Sequence, residues 1–330
     1  MEVVIGLFLL CVATAVIVGG FKAYRLLMTH AEELSVPRPE PVAEDVEVSG
    51  EVGPDGLVYL FAHDFVRHKQ APPTVPARDR AYAPLTEDEL DPEDWAQQIL
   101  YASLCELAAD SSVHFRVVDR SPTFMPPYPQ KRWELQVIQR TPFPQSTVAD
   151  ALDVAFGLLI RRKEQRVAQG KEQPGEVWCA LDEIIERALK AMRQEISFWE
   201  RSGVYGDLRN YVASALVAQG YLMSPGKETW LDRTRSRRPI PNETAVAELR
   251  RDAEALQRRL RQFCLKHGSP HARGDLPPDA TAPGLKGVDP SLAAREESFD
   301  EMPLDDVLRI SIYETLVSLK ALEPSRDGGM

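Results

Sequence analysis

Residue types able to hold a metal come together at His63-Asp64 and His68. Five residues apart on a helix, the two histidines diverge by about 140°. On a strand they face opposite sides. That spacing makes a poor chelate, and His30, His114, His267 and His271 are scattered. Phosphate chemistry is hinted at by Gly220 to Gly226 followed by Lys227. A phosphate-cradling loop has four residues between its glycines and a Ser or Thr after the lysine to hold magnesium. Here five residues intervene and Glu228 follows the lysine. No nucleophile elbow, dinucleotide-binding glycine pattern or zinc-protease helix is present. Cys11, Cys105, Cys179 and Cys264 are too far apart in sequence for a knuckle-type zinc site and too few for a disulfide scaffold. The expectation is therefore no catalytic, metal-binding or cofactor-binding residues and no cofactor. An enzyme with a site built from distant residues is kept as the third reading.

Attraction to a polyanion is the chemistry with more support. Arg233, Arg235, Arg237 and Arg238 form the densest basic run. Arg161, Arg162, Lys163, Arg166 and Lys171 follow, and then Arg250, Arg251, Arg258, Arg259 and Arg261. The whole chain carries a formal charge of −11, which excludes a uniformly basic nucleic-acid binder. Residues 113–267 nevertheless hold 26 Lys and Arg against 19 Asp and Glu. A mildly basic middle is flanked by acidic stretches. Its partner is either the anionic inner leaflet of a membrane or nucleic acid, and a merely solvated face is the alternative to both.

The element that would place this region is at the N-terminus. Residues 3–21 contain no charged side chain, and twelve of these 19 are Val, Ile, Leu or Phe. As a helix the run is about 28 Å long, close to the roughly 30 Å of a bilayer core. A cleaved signal peptide wants positive charge before its apolar run; here only Met1 and Glu2 precede it. Lys22 and Arg25 follow it, and positive charge beside a span stays cytoplasmic. The expectation is a single-pass protein of the cell membrane, residues 1–28 forming the anchor, with its N-terminus outside and its C-terminal domain in the cytoplasm.

Residues 29–90 read as an acidic, Pro-rich linker, with the island Leu57–Phe61 set down as an edge strand or a membrane-resting segment. Asp91-Pro92-Glu93 is a helix start. Residues 113–118 and 133–138 alternate at period two and form a hairpin with a Pro-rich tip. Helices are expected from Ser146 or Thr147 to about Ile160, from Glu176 to Phe198 and from Asp207 to Gln219, with residues 161–174 as a loop. Gly220 stops the last of these helices. Residues 221–223 and 229–231 suggest a small hairpin. Residues 242–267 form an amphipathic basic helix, residues 268–302 a flexible linker, and residues 303–330 a C-terminal helix and tail whose apolarity wraps well round it, so that it is expected to pack against a protein surface, either its own domain or a partner.

Helix, helix and two-stranded flap follow one another in residues 91–241, and this order resembles a winged-helix module. Residues 95–140 show a similar helix-then-hairpin order. The resemblance is one of element order and carries no motif residue. It implies an α+β, mostly helical cytoplasmic domain with one or two small β-hairpins, and it makes Asp232–Pro241 the position of a wing. In the basic helix, Leu249, Leu256, Leu260 and Phe263 belong to a seam at heptad spacing. They are the candidates for oligomerisation, against packing on the helix's own domain. The function read from all this is a membrane-anchored cytoplasmic interaction or scaffold protein, non-enzymatic, with an unknown protein partner and a possible homo-oligomer. The alternative is a membrane-tethered winged-helix nucleic-acid regulator.

Overall fold

The computed structural model of the chain describes residues 48, 50–66, 80–119, 133–171, 173–196, 201–223, 239–268 and 303–323. The apolar run 3–21, its flanking Lys22 and Arg25, the arginines Arg233, Arg235, Arg237 and Arg238, and all of the expected linker 268–302 except Gly268 lie outside these residues. No helix among the described residues is long and apolar enough to cross a membrane.

The described residues form an α+β, mostly helical fold. A short helix α1 (Pro54–Leu60) and a single turn α2 (Ala62–Phe65) come first. The ladder β1 (Ala81–Tyr82) with β2 (Glu89–Leu90) leads into α3 (Pro92–Ala109). Strands β3 (Val113–Asp119) and β4 (Trp133–Gln139) pair antiparallel in unbroken register. Helix α4 (Thr147–Ala168) follows, then β5 (Cys179–Ala180), which adds to β4. Helices α5 (Leu181–Glu195) and α6 (Val204–Ala218) precede β6 (Leu222–Met223), which pairs with β7 (Ile240–Pro241). The last described helices are α7 (Glu243–Glu248), α8 (Arg250–His267) and α9 (Leu304–Ala321).

Local chemistry explains most of these boundaries. The Asp91 carboxylate accepts from the Glu93 N–H at 3.0 Å and Pro92 fills the first helical position, as the sequence predicts. Ser146 caps α4 through the Ala149 N–H, and Gly220 ends α6 at φ +84°. Four expectations change. The island Leu57–Phe61 is not a strand: Pro54 and Asp55 start a helix there, and Leu57, Val58, Leu60 and Phe61 are core residues. The acidic linker therefore does not run unbroken to residue 90, because residues 52–66 and 81–90 contribute buried side chains. Helix α4 continues to Ala168 through the expected loop, since Arg161–Ala168 is rich in helix-favouring residues and contains neither Gly nor Pro. The second hairpin pairs residues 222–223 with 240–241; residues 229–231 lie outside the described residues. In addition, the polar helix breaks at Leu249 into α7 and α8, and Cys179–Ala180 separates from the helix behind it as β5.

The core gathers around α3, which is buried over nearly its whole circumference. Its Trp95 and Tyr101 are almost inaccessible, and the Trp95 ring stacks on Tyr59 with centroids 5.0 Å apart. Helices α1, α6, α8 and α9 all pack against it. This wrapping is why α1 belongs to the fold despite its acidic, Pro-rich flanks. Its Asp55 reaches across to α4 and accepts from the Val148 N–H at 2.9 Å. Full burial raises the Asp55 pKa above the usual 3.8, more than hydrogen bonds from the Val148, Gly56 and Asp55 backbones lower it. An acid with a raised folded pKa favours the fold below 3.8 and loses that contribution as pH rises through the folded value. Asp55→Asn has no such ionisation, so its stability relative to the parent should be higher at pH 7 than at pH 4. Urea midpoints at both pH values measure this; a pH-independent difference would remove the ionised carboxylate from the account.

Candidate interaction surfaces

Two clusters define what α9 does. The first is buried. Asp305, in its first turn, accepts from the Tyr101 hydroxyl at 2.5 Å and from Arg309 Nε at 3.0 Å. The Arg309 guanidinium lies 3.7 Å from the Tyr101 ring centroid, and the Arg309 carbonyl accepts from Gln97 at 3.1 Å. Asp305 and Arg309 are one helical turn apart, and their side chains are 1% and 7% exposed. Cys105 and Cys264 face the same cluster. Burial foremost, then the Asp305 charge, holds both thiols in the protonated form, that of Cys264 pushed up to about 12. These cysteines are core packing groups, as is buried Cys179. Together the cluster locks α9 onto α3.

The second cluster is open. Between the start of α5 and the second half of α9 runs a groove of about 620 Å³. Its α9 wall presents Tyr313, Val317 and Leu322, which are 42%, 36% and 79% exposed. Its α5 wall carries Asp182, Glu183 and Glu186, and Glu314 adds a fourth carboxylate. Among the described residues, no lysine or arginine lines it. Arg187 and Lys190, one turn further along α5, pair with Glu183 at 3.0 Å and Glu186 at 2.5 Å. The Tyr313 phenol is pushed up, first by partial burial and then by Glu93, Asp91 and Glu314. The Leu322 end of the groove abuts the start of α6, where the Glu323 carboxylate accepts from the Val204 N–H at 2.8 Å and from Lys320 at 3.2 Å.

The expected surface residues divide. Lys22, Arg25 and the four arginines Arg233, Arg235, Arg237 and Arg238 lie outside the described residues. The heptad seam faces inward: Leu256 and Leu260 are buried, and Leu249 and Phe263 pack partly buried on the same core. Part of the basic helix is also used within the chain. Arg250 bonds Asp64 at 2.6 Å and Arg259 bonds Glu106 at 2.9 Å. His63 contacts Asp64 at 3.2 Å, so that carboxylate serves a helix-to-helix tie, and no cluster of metal ligands occurs among the described residues. Elsewhere on the basic surface, Arg116 lies 4.1 Å from the Trp178 ring, and Arg140 bonds Glu176 at 2.9 Å. Arg162 contacts Glu183 at 3.5 Å.

Helix α6 occupies the place of a recognition helix in the winged-helix order, yet it packs against α1, α3, α5 and α9. Only Ser214 and Ala218 of its residues are exposed. Its one cation, Arg209, donates to the Tyr205 carbonyl at 3.3 Å and lies 5.1 Å from the Trp95 ring. Helix α3, which occupies the same place before the first hairpin, is more deeply buried still.

The chain matches no family model, no curated protein and no solved structure. The sequence points to α9 as a helix that packs on its own domain or a partner, but not to the groove it forms with α5. Its signal was present in α9, whose apolar residues extend beyond the face that a single packing surface consumes.

Proposed function

We propose that the chain is a single-pass membrane protein whose cytoplasmic part is a non-enzymatic interaction module of winged-helix-like architecture. The observation that carries the reading is the α5–α9 groove, which sets exposed Tyr313, Val317 and Leu322 beside four carboxylates. Such a surface fits a segment with apolar side chains on one side and cations on the other. The order α4, β5, α5, α6, β6, β7 supports the architectural part of the reading: it runs helix, strand, two helices and hairpin. The membrane part rests on the uncharged residues 3–21 and the cations Lys22 and Arg25 behind them.

The burial of α6 favours interaction with protein over the nucleic-acid alternative. A winged-helix reader lays the exposed face of its second helix in the major groove. Here that helix offers Ser214 and Ala218 to solvent, and its arginine is occupied within the fold. The groove is tested in the full-length protein extracted from native membranes with mild detergent. Val317→Arg should shift the complex seen on native gels to lower apparent mass, because a cation and a long side chain enter the apolar wall. An unchanged migration would remove the groove from the proposed function.

A further inference from the structure

Helix α4 buries one side and leaves the other open. Val148, Leu152, Ala155, Phe156 and Leu159 are buried, while Val154 and Leu158 on the outward side are 53% and 49% exposed. Between them stands Gly157, at the middle of a helix of 22 residues. Glycine is among the weakest helix formers, and a Cβ at this position would meet nothing within 4 Å among the described residues. Packing within the described fold therefore gives no reason for a glycine there. Close approach by another backbone does. Charge along the helix is divided as well. Residues 147–157 hold Asp150 and Asp153 and no cation, whereas residues 158–168 hold Arg161, Arg162, Lys163 and Arg166 against Glu164. Partial burial first, then the charges of Asp153 and Glu195, push the Asp150 carboxyl up. Asp153 accepts from the neutral Gln139 amide at 2.6 Å.

We infer that this outward face of α4 pairs with the same face of a second copy of the chain, the two helices antiparallel and crossing at Gly157. The division of charge selects both the occupant and the direction. In an antiparallel pair the acidic half of each helix lies along the basic half of the other, whereas parallel helices would set like charge on like. A crossing centred between Gly157 and Leu158 lays Leu158 of each copy over Gly157 of the other. It also sets Asp153 opposite Arg162, and the apolar stem of Arg161 against Val154. Arg162 is placed for this, since its side chain is 62% exposed and its contact with Glu183 is 3.5 Å long. A polyanion is a poorer match, because Asp150, Asp153 and Glu164 on the same helix would repel it. The contact uses one surface twice, so it is isologous and closes at two copies. None of these α4 residues lines the α5–α9 groove, so the pairing stands separately from the groove's docking role.

The test uses purified full-length protein in detergent and sedimentation velocity across a range of protein concentrations. Wild type should reach a dimer and stop there, and added salt should loosen it. Asp150→Lys with Asp153→Lys makes the face basic in both halves, and Arg161→Glu with Arg162→Glu makes it acidic in both. Each double variant alone should weaken association at least about tenfold, because like charges then face each other. Mixed in equal amounts the two should restore the dimer, since each half again meets its opposite. Gly157→Leu should also weaken association at least about tenfold, because a side chain enters the point of closest approach. Its thermal midpoint at the lowest protein concentration should not fall, since the space around Gly157 is open in its own chain and leucine is the better helix former. Should a charge variant unfold, Gly157→Leu decides by itself. The proposal fails if wild type is monomeric throughout, if all three variants associate like wild type, or if the mixture stays as weak as its parts. It fails too if the Gly157→Leu midpoint drops, which would make the position a packed one. Loss of the dimer in Val317→Arg but not in Gly157→Leu would place the contact at the groove and discard the α4 pairing.

Discussion

Asp305→Ala should cost about 3–5 kcal/mol of folding stability, because it removes one partner of a buried ion pair and leaves the other charged. The Arg309 guanidinium would keep its position against the Tyr101 ring without the carboxylate that now bonds both groups. At a urea dependence of about 1–3 kcal/mol per molar, the unfolding midpoint falls by roughly 1–5 M. The companion variant separates charge from packing. Asp305→Leu combined with Arg309→Met and Tyr101→Phe removes both charges and the hydroxyl together. It should recover most of the lost stability, since apolar replacements of whole buried pairs are often neutral. If Asp305→Ala costs less than about 1 kcal/mol of stability, or the triple variant is no better than the single one, the cluster is not what holds α9 to the core. Losing α9 would also dismantle the groove, of which it forms one wall, and would release the Glu323 cap on α6.

How far the sequence carried the fold follows from where its signals were local. Caps at Asp91 and Ser146, the alternation in β3 and β4, and the stop at Gly220 are written within a few residues of where they act, and each is present in the structure. The misread parts depend on contacts made far along the chain. Leu57–Phe61 is too short for its period to separate strand from helix; burial against α3 and the tie from Asp55 to Val148 decide it. Residues 222–223 pair with 240–241 across an intervening stretch that no turn rule spans. The inward face of α8 was open between a partner helix and the chain's own core, because a heptad seam of under three repeats fits both. Burial of Leu256 and Leu260 shows which surface they meet within the described residues. The groove was least legible. It is made by α5 and α9, more than a hundred residues apart, and only their packing brings Asp182 and Glu186 beside Tyr313 and Val317.

The second large effect concerns the proposed anchor. Twelve strongly apolar residues in the uncharged run 3–21 contribute roughly −4 to −7 kcal/mol to insertion before opposing terms. The described helices offer no substitute span. Deleting residues 3–21 should therefore move the protein from the membrane pellet to the supernatant after alkaline carbonate extraction. Replacing Lys22 and Arg25 with glutamine should blur its orientation, since those two cations are the ones that set it.

Protease protection of sealed membrane vesicles carrying the full-length chain, probed with antibodies against residues 303–330, measures the side on which the interaction module sits. In vesicles of cytoplasmic-side-in orientation the account predicts that this epitope survives protease until detergent opens the membrane. Digestion of the epitope in intact vesicles, or recovery of the uncleaved full-length chain in the soluble fraction, would contradict it.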